Sequence, residues 1–186
     1  MRKNEVNGSQ RESQLELETL LDNLQGMAYR CQNDQDWTME FLSAGCMELT
    51  GYAPEELIHN KHLSYAELIH PVDREKVWHE IQLAIEQQQP FRLTYRIYTA
   101  EGKEKWVWEQ GVGIFSTDGE VTALEGFITD ITQRVRAESA LRQSEEKLRN
   151  IVEHSTNMFY SHTNEHILTY LSPQVKDILG YEPKEA

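Results

Sequence analysis

Residues 91–130 read Phe-Arg-Leu-Thr-Tyr-Arg-Ile-Tyr-Thr-Ala-Glu-Gly-Lys-Glu-Lys-Trp-Val-Trp-Glu-Gln-Gly-Val-Gly-Ile-Phe-Ser-Thr-Asp-Gly-Glu-Val-Thr-Ala-Leu-Glu-Gly-Phe-Ile-Thr-Asp. Phe91, Leu93, Tyr95 and Ile97 alternate with Arg92, Thr94, Arg96 and Tyr98, the period of two of a half-buried strand. Glu101-Gly102 makes a turn, Glu104–Phe115 reads as a second strand, and Asp118-Gly119 is a hairpin signal before a third strand, Val121–Asp130. Three consecutive strands joined by tight turns pair antiparallel.

Working toward the N-terminus, Pro90 ends a helix that Pro71 can open. Val77, Trp78, Ile81, Ala84 and Ile85 share one face of it, and Asp73 and Glu75 sit in the first turn, where the macrodipole favours acids. Met27–Arg30 and Trp37–Leu42 read as strands around the turn cluster Asn33–Asp36. Ser43 is placed to cap a helical turn over Ala44–Thr50, stopped by Gly51, and Pro54 fits the first position of Glu55–His59. Leu15, Leu17, Leu20, Leu21 and Leu24 repeat at helical spacing until Gly26, behind a polar tail expected to be disordered over residues 1–14. Strands interrupted by a helical block make an α+β fold, not a parallel α/β sheet. After Asp130, residues 131–153 read as one helix. Ala137, Leu141, Leu148 and Ile151 give a partial heptad, but Arg134 and Ser144 fall on the same seam, so the coiled-coil signal is weak.

The chain has 186 residues, enough for one domain and extras. Eighteen Lys and Arg against 31 Asp and Glu leave a net charge of −13. That balance argues against a nucleic-acid surface and against a polybasic membrane anchor. The N-terminus carries no secretory apolar stretch and no run approaches 18 apolar residues, so no membrane partner is expected. Cys31 and Cys46 alone make no disulfide framework. Together these features predict a cytoplasmic protein. No Gly-x-Ser-x-Gly or local Cys–His pairing suggests a nucleophile, so no catalytic residue is assigned. His59 with His62, and His162 with His166, have no acid or Cys at metal spacing, and no metal ligand is assigned.

One segment recurs. Met27-Ala-Tyr-Arg, Phe41-Leu-Ser-Ala and Leu49-Thr-Gly-Tyr-Ala-Pro-Glu-Glu are echoed by Met158-Phe-Tyr-Ser, Tyr170-Leu-Ser-Pro and Leu179-Gly-Tyr-Glu-Pro-Lys-Glu. Ser43 matches Ser172, Gly51-Tyr52 matches Gly180-Tyr181, and Pro54 matches Pro183, which is a duplicated domain rather than a solenoid. The second copy reaches Ala186 before any equivalent of the long helix or the three strands. The expectation is that the chain is a fragment, or that this copy is unstable alone.

Phe41-Leu-Ser, Leu49–Leu57, Leu68-Ile-His-Pro-Val-Asp-Arg-Glu-Lys-Val77, Gly102 with Trp106-Val, Asp118-Gly119 and Gly126–Thr132, in this order, resemble a PAS domain with its PAC segment, as found in bacterial sensor histidine kinases and diguanylate cyclases. Ala53 departs from the family, which often has Ser or Thr there to cap the next helix. The resemblance implies a five-stranded antiparallel sheet with helices on one face, enclosing a small cavity. It divides the chain into a PAS domain over 15–132, a signalling helix over 133–148 and a truncated second PAS domain over 149–186. It also implies sensing or dimerisation upstream of an output domain. No Gly-Gly-Asp-Glu-Phe, nucleotide-binding glycine box or phospho-acceptor helix is present in the sequence, so any kinase or cyclase activity would belong to a longer parent.

Aligned with the light-oxygen-voltage branch, the sequence places Ile97, Val107 and Ile128 where that branch contacts flavin through amides. It also lacks that branch's reactive Asn-Cys-Arg-Phe stretch. The cofactor is unknown, with flavin and haem not favoured. Tyr29, Met47, Tyr95, Ile97, Val107, Glu109 and Ile128 are the candidates for the ligand cavity. Glu109, the one charge in an apolar shell, is expected to pair with Arg30 or Arg92. Trp106 and Trp108 fall on the outer sheet face, to be covered with the help of Leu17 and Leu21 or by a second protomer. Asp130, Ile131 and Thr132 form the expected relay from sheet to helix. The expected partners are an unidentified small ligand, a second copy in a homodimer, and an output domain in cis.

Overall fold

The computed structural model describes residues 25–180. The tail over 1–14 and the helix carrying Leu17 and Leu21 lie outside the described residues. The chain divides into two compact units, residues 1–133 and 134–186.

In the first unit, β1 (Met27–Cys31) and β2 (Met39–Leu42) are followed by α1 (Gly45–Thr50), α2 (Pro54–Leu57), α3 (Tyr65–Leu68) and α4 (Arg74–Glu86). Then come β3 (Phe91–Tyr98), β4 (Glu104–Phe115) and β5 (Val121–Asp130). The sheet order is β2-β1-β5-β4-β3, with antiparallel neighbours throughout. This is the expected α+β class. The N-terminal hairpin closes on the last strand, Met27 opposite Ile128 and Tyr29 opposite Gly126. Phe91, Leu93, Tyr95 and Ile97 are all buried, as their alternation requires, and Val77, Ile81 and Ile85 of α4 join the same core.

Several local readings change. The second strand starts at Met39, not Trp37. Trp37 takes a left-handed backbone (φ 50°) and buries its ring 5.1 Å from that of Trp78. Helix α4 begins at Arg74, three residues past Pro71. Asp73 spends its carboxylate on Arg96, accepting from its backbone N (3.0 Å), Nε (2.9 Å) and Nη2 (2.8 Å), which fastens the start of α4 to β3. Ser43 does not cap α1. Its Oγ accepts the Ala28 N–H at 3.0 Å and its own N–H donates to Ala28 O at 2.9 Å, closing the corner against β1. At Ala53 the missing hydroxyl leaves Glu56 to supply the side-chain bond, Oε2 accepting the Ala53 N–H at 2.8 Å. Helix α3 was not expected, although Ser64-x-x-Glu67 is a capping-box signature, and Glu67 accepts the Ser64 N–H at 2.9 Å.

Helix α5 (Thr132–Glu153) leaves the sheet over nearly the span 131–153 expected of it. In the second unit it is followed by the hairpin β6 (Tyr160–His162) and β7 (Leu168–Leu171), then α6 (Val175–Leu179). The two serines make matching hydrogen bonds. Ser172 Oγ accepts the Phe159 N–H and Ser172 N–H donates to Phe159 O, both at 2.9 Å, as Ser43 does with Ala28. Gly51 (φ 79°) and Gly180 (φ 80°) end α1 and α6 in the same left-handed state. Among the described residues of this unit, Val175 is the one fully buried apolar side chain, so these elements carry little core of their own. No helix among the described residues is long and apolar enough to cross a membrane.

Candidate functional site: a buried carboxylate and a strand-to-helix junction

Glu109 points from β4 into the core and is 4% exposed. A carboxylate taken from water needs donors. Here a tyrosine hydroxyl supplies one. Tyr29 of β1 donates to Glu109 Oε1, and the Tyr65 and Tyr95 hydroxyls beside it lie 3.0 Å apart. Two glycines make room for this. Tyr29, Gly126 and Gly111 stand in one row across β1, β5 and β4. A Cβ on Gly126 would sit 2.7 Å from Tyr29 Oη, and one on Gly111 2.9 Å from the same atom.

The cluster lines a small cavity with Cys31, Trp37, Met39, Ile69, Val77, Ile81, Leu124 and Ile128, leaving about 10 Å³ of free space for a water-sized sphere. That is room for roughly one water. Burial pushes the Glu109 carboxyl above the ordinary carboxylate range, opposed by the Tyr29 and Tyr95 hydroxyls. Burial and the Glu109 charge push the Tyr29, Tyr65 and Tyr95 hydroxyls well above the usual phenol range. All three hydroxyls therefore keep their protons.

The second feature lies where β5 becomes α5. Asp130 accepts the Thr132 N–H at 2.8 Å and pairs with Lys105 Nζ at 3.2 Å, while Lys105 also donates to Glu48 O at 2.9 Å. Partial burial opposes ionisation of Asp130, but the bonds from Thr132 and Lys105 outweigh it and hold the carboxyl below its ordinary range. Both backbone groups of Trp106 turn to this junction. Its N–H donates to Thr132 Oγ1 (2.9 Å) and its carbonyl accepts the Ile131 N–H (2.9 Å). Trp106 lies three residues from Glu109 on β4.

Of the expected cavity residues, Tyr29, Tyr95, Glu109 and Ile128 line the cavity together. Ile97 and Val107 are fully buried in the adjoining core but do not border the space. Met47 is corrected. It is 51% exposed, and its neighbour Cys46 takes the inward position of α1, with burial pushing its thiol to about 11. The expected pairing of Glu109 with an arginine is also corrected. Arg30 pairs with Glu40 and Glu125, and Arg92 bonds Gln110. Trp106 and Trp108 are half-buried on the other side of β4, with the Arg96 guanidinium 5.4 Å from the Trp106 ring. Tyr65, Cys31 and Trp37 were not among the expected cavity residues. Ile97, Val107 and Ile128 offer apolar side chains where flavin amide partners would stand, so the residues present do not fit a flavin held in that manner.

The family described as the PAS fold matches residues 39–128. The crystal structure of a sensory box histidine kinase/response regulator from Burkholderia thailandensis is 31% identical. The match covers 67% of this chain and 91% of that one, with a TM-score of 0.54. The methyl sulfide methyltransferase-associated sensor of Methanosarcina acetivorans is 28% identical over 73% of this chain and 14% of its own length. The two-component sensor PprA of Pseudomonas aeruginosa is 24% identical over 90% of this chain and 18% of its own length. The chain belongs to the PAS family and is a PAS sensory domain related to those of sensor kinases. It spans less than a fifth of the length of these two curated relatives.

Proposed function

We propose that the first unit is the input stage of a longer cytoplasmic signalling protein, of the histidine kinase or diguanylate cyclase kind. In this reading a small ligand or partner biases two arrangements of the sheet, and α5 carries the bias to an output domain. The observation that carries it is the Trp106 junction. The strand that holds Glu109 in the core gives both backbone groups of Trp106 to the first residues of α5. A shift of β4 at the cavity therefore moves the helix start. Leu141, Leu148 and Ile151 stand exposed along α5 and would be covered in a homodimer, as would Trp106 and Trp108 on the sheet. The chain by itself is expected to turn over no ATP.

A second reading is a ligand-free dimerisation or interaction module, favoured by the 10 Å³ left in the cavity. Mass spectrometry of what the denatured protein releases, with an absorption spectrum of the native protein, separates the two. A released small molecule supports ligand sensing, and a colourless protein releasing nothing supports the interaction module. For the relay, hydrogen exchange in Tyr95→Phe, a change inside the cavity, should alter protection at Ile131 and Thr132. Changes confined to the sheet would defeat the relay.

A further inference from the structure

The β6–β7 hairpin follows the β1–β2 hairpin residue by residue. Tyr160 pairs with Leu171 and His162 with Leu168, as Tyr29 pairs with Leu42 and Cys31 with Met39. Both ladders slip at the same place, just before Cys31 and just before His162. His166 takes a left-handed backbone (φ 65°) two residues before Leu168, as Trp37 (φ 50°) does two residues before Met39. The His166 N–H donates to Thr163 O at 3.0 Å, and the Trp37 N–H donates to Asp34 O at 3.2 Å. In the first hairpin Tyr29, Cys31, Trp37 and Met39 all turn to the cavity. The corresponding residues of the second are Tyr160, His162, His166 and Leu168. Their rings follow one another, Tyr160 centred 6.0 Å from His162 and His162 centred 5.5 Å from His166.

Two imidazoles thus stand where the first hairpin has a thiol and an indole. Burial pushes the Cys31 thiol well above its ordinary range, so it offers no thiolate, and the Trp37 indole nitrogen can only donate. His162 and His166 are both exposed. His162 Nδ1 lies 2.7 Å from Thr163 O. A carbonyl only accepts, so Nδ1 carries the proton and Nε2 keeps its lone pair. An imidazole that donates its other N–H to a backbone carbonyl is the usual support of a metal ligand. Among the described residues no hydrogen bond reaches the ring of His166. The spacing agrees. Two imidazoles bound tetrahedrally to one ion at about 2.0–2.1 Å have ring centres roughly 5–6 Å apart. Among the described residues no group of three or more His, Cys, Asp or Glu could hold a metal, so this pair supplies two ligands and leaves the other positions to water. Imidazole suits zinc, copper and nickel, whereas magnesium and calcium take oxygen.

We propose that His162 and His166 form a binding site for a divalent transition-metal ion, on the face of the second hairpin that corresponds to the cavity face of the first.

The full chain, isotope-labelled at nitrogen, is titrated with Zn²⁺ while the side-chain nitrogen spectrum of its histidines is followed by NMR. Before metal is added, His162 should show the Nδ1–H tautomer. The Nε2 signal of His162 and one ring nitrogen of His166 should then shift together and saturate at one Zn²⁺ per chain, while His59, His62, His70, His79 and His154 hold their positions. By calorimetry, His162→Ala and His166→Ala should each weaken Zn²⁺ binding by more than about tenfold, the least that loss of even a ligand's supporting partner costs. His59→Ala should bind as the wild type does. The wild-type spectrum carries the test if either hairpin variant fails to fold. Shifts spread over all seven histidines without saturation overturn the site, as does a response from only one of the two rings. Saturation at one Zn²⁺ per two chains overturns it as well, because the ion would then join chains and not the two rings of one hairpin.

Discussion

Replacing Thr132 by Val tests the junction at a single atom. Val keeps the shape of the side chain and removes Oγ1. Ile131 N–H still donates to Trp106 O, so the strand's carbonyl keeps its partner. The Trp106 N–H does not, because its acceptor at 2.9 Å was the lost hydroxyl. Thr132 is 8% exposed and Trp106 is half-buried, so water reaches this N–H only in part. An orphaned donor of this kind costs about 1–2 kcal/mol, toward the lower end of the range for buried groups. That cost corresponds to a roughly 5–30-fold change in a local opening equilibrium. Hydrogen exchange measured by NMR should show Trp106 exchanging faster by about that factor, with Ile131 following. Thr132→Ser keeps the hydroxyl and should retain the protection. If Thr132→Val leaves the Trp106 and Ile131 amides as protected as before, the helix start is not held by this bond and the relay loses its anchor. A loss in the Ser variant as large as in the Val variant would show that the hydroxyl is not what protects the Trp106 amide.

Gly126→Ala would bring a Cβ to 2.6 Å from Gln110 O and 2.7 Å from Tyr29 Oη, and the backbone oxygen cannot turn away. Urea denaturation should show a loss of about 1–3 kcal/mol, the usual cost of overpacking, and unchanged stability would mean that the sheet has slack at this row. The Asp73 carboxyl is held below its ordinary range by the Arg96 guanidinium. Its contribution is present above the ordinary carboxylate pKa and is lost as pH falls through the folded value. Melting curves of wild type and Asp73→Asn should therefore converge in acid and separate toward neutral pH, and a constant gap would exclude the ion pair as the cause.

The antiparallel strands were legible because alternation and the Asp118-Gly119 turn are local signals. The single-turn helix α1 was not assignable by face. One turn repeats no stripe, so nothing separated Met47, which points out, from Cys46, which points in. Glu109 was correctly placed on the inner face by strand parity, but its donor, Tyr29, comes from β1, 80 residues away in sequence. Reading charges alone suggested an arginine, whereas an uncharged hydroxyl provides the donor. A signal did exist. Gly111 and Gly126 fall opposite one another, and two facing glycines in long strands ask for a large ring above them, which Tyr29 supplies. Ser43 illustrates the competing uses of one residue type. A Ser before a helix can cap it or bond a neighbouring strand, and the hairpin return to Ala28 decides for the strand.

The two copies differ where the chain enters them, and the difference bears on the relay. Gly45 and Gln174 occupy equivalent positions, each two residues after the serine that closes the hairpin corner. At Gly45 a Cβ would lie 1.8 Å from Gly26 O, so the first copy needs a bare backbone there. At Gln174 the side-chain amide donates to Val152 O (2.9 Å) and Glu153 O (2.8 Å), the last carbonyls of α5. Terminal helix carbonyls otherwise go to water or to a cap. Helix α5 is thus held by a side-chain hydroxyl at Thr132 and by a side-chain amide at its other end. A helix with free ends absorbs a displacement by fraying its terminal turns. One whose terminal carbonyls accept a side-chain amide resists that fraying at its C-terminal turn.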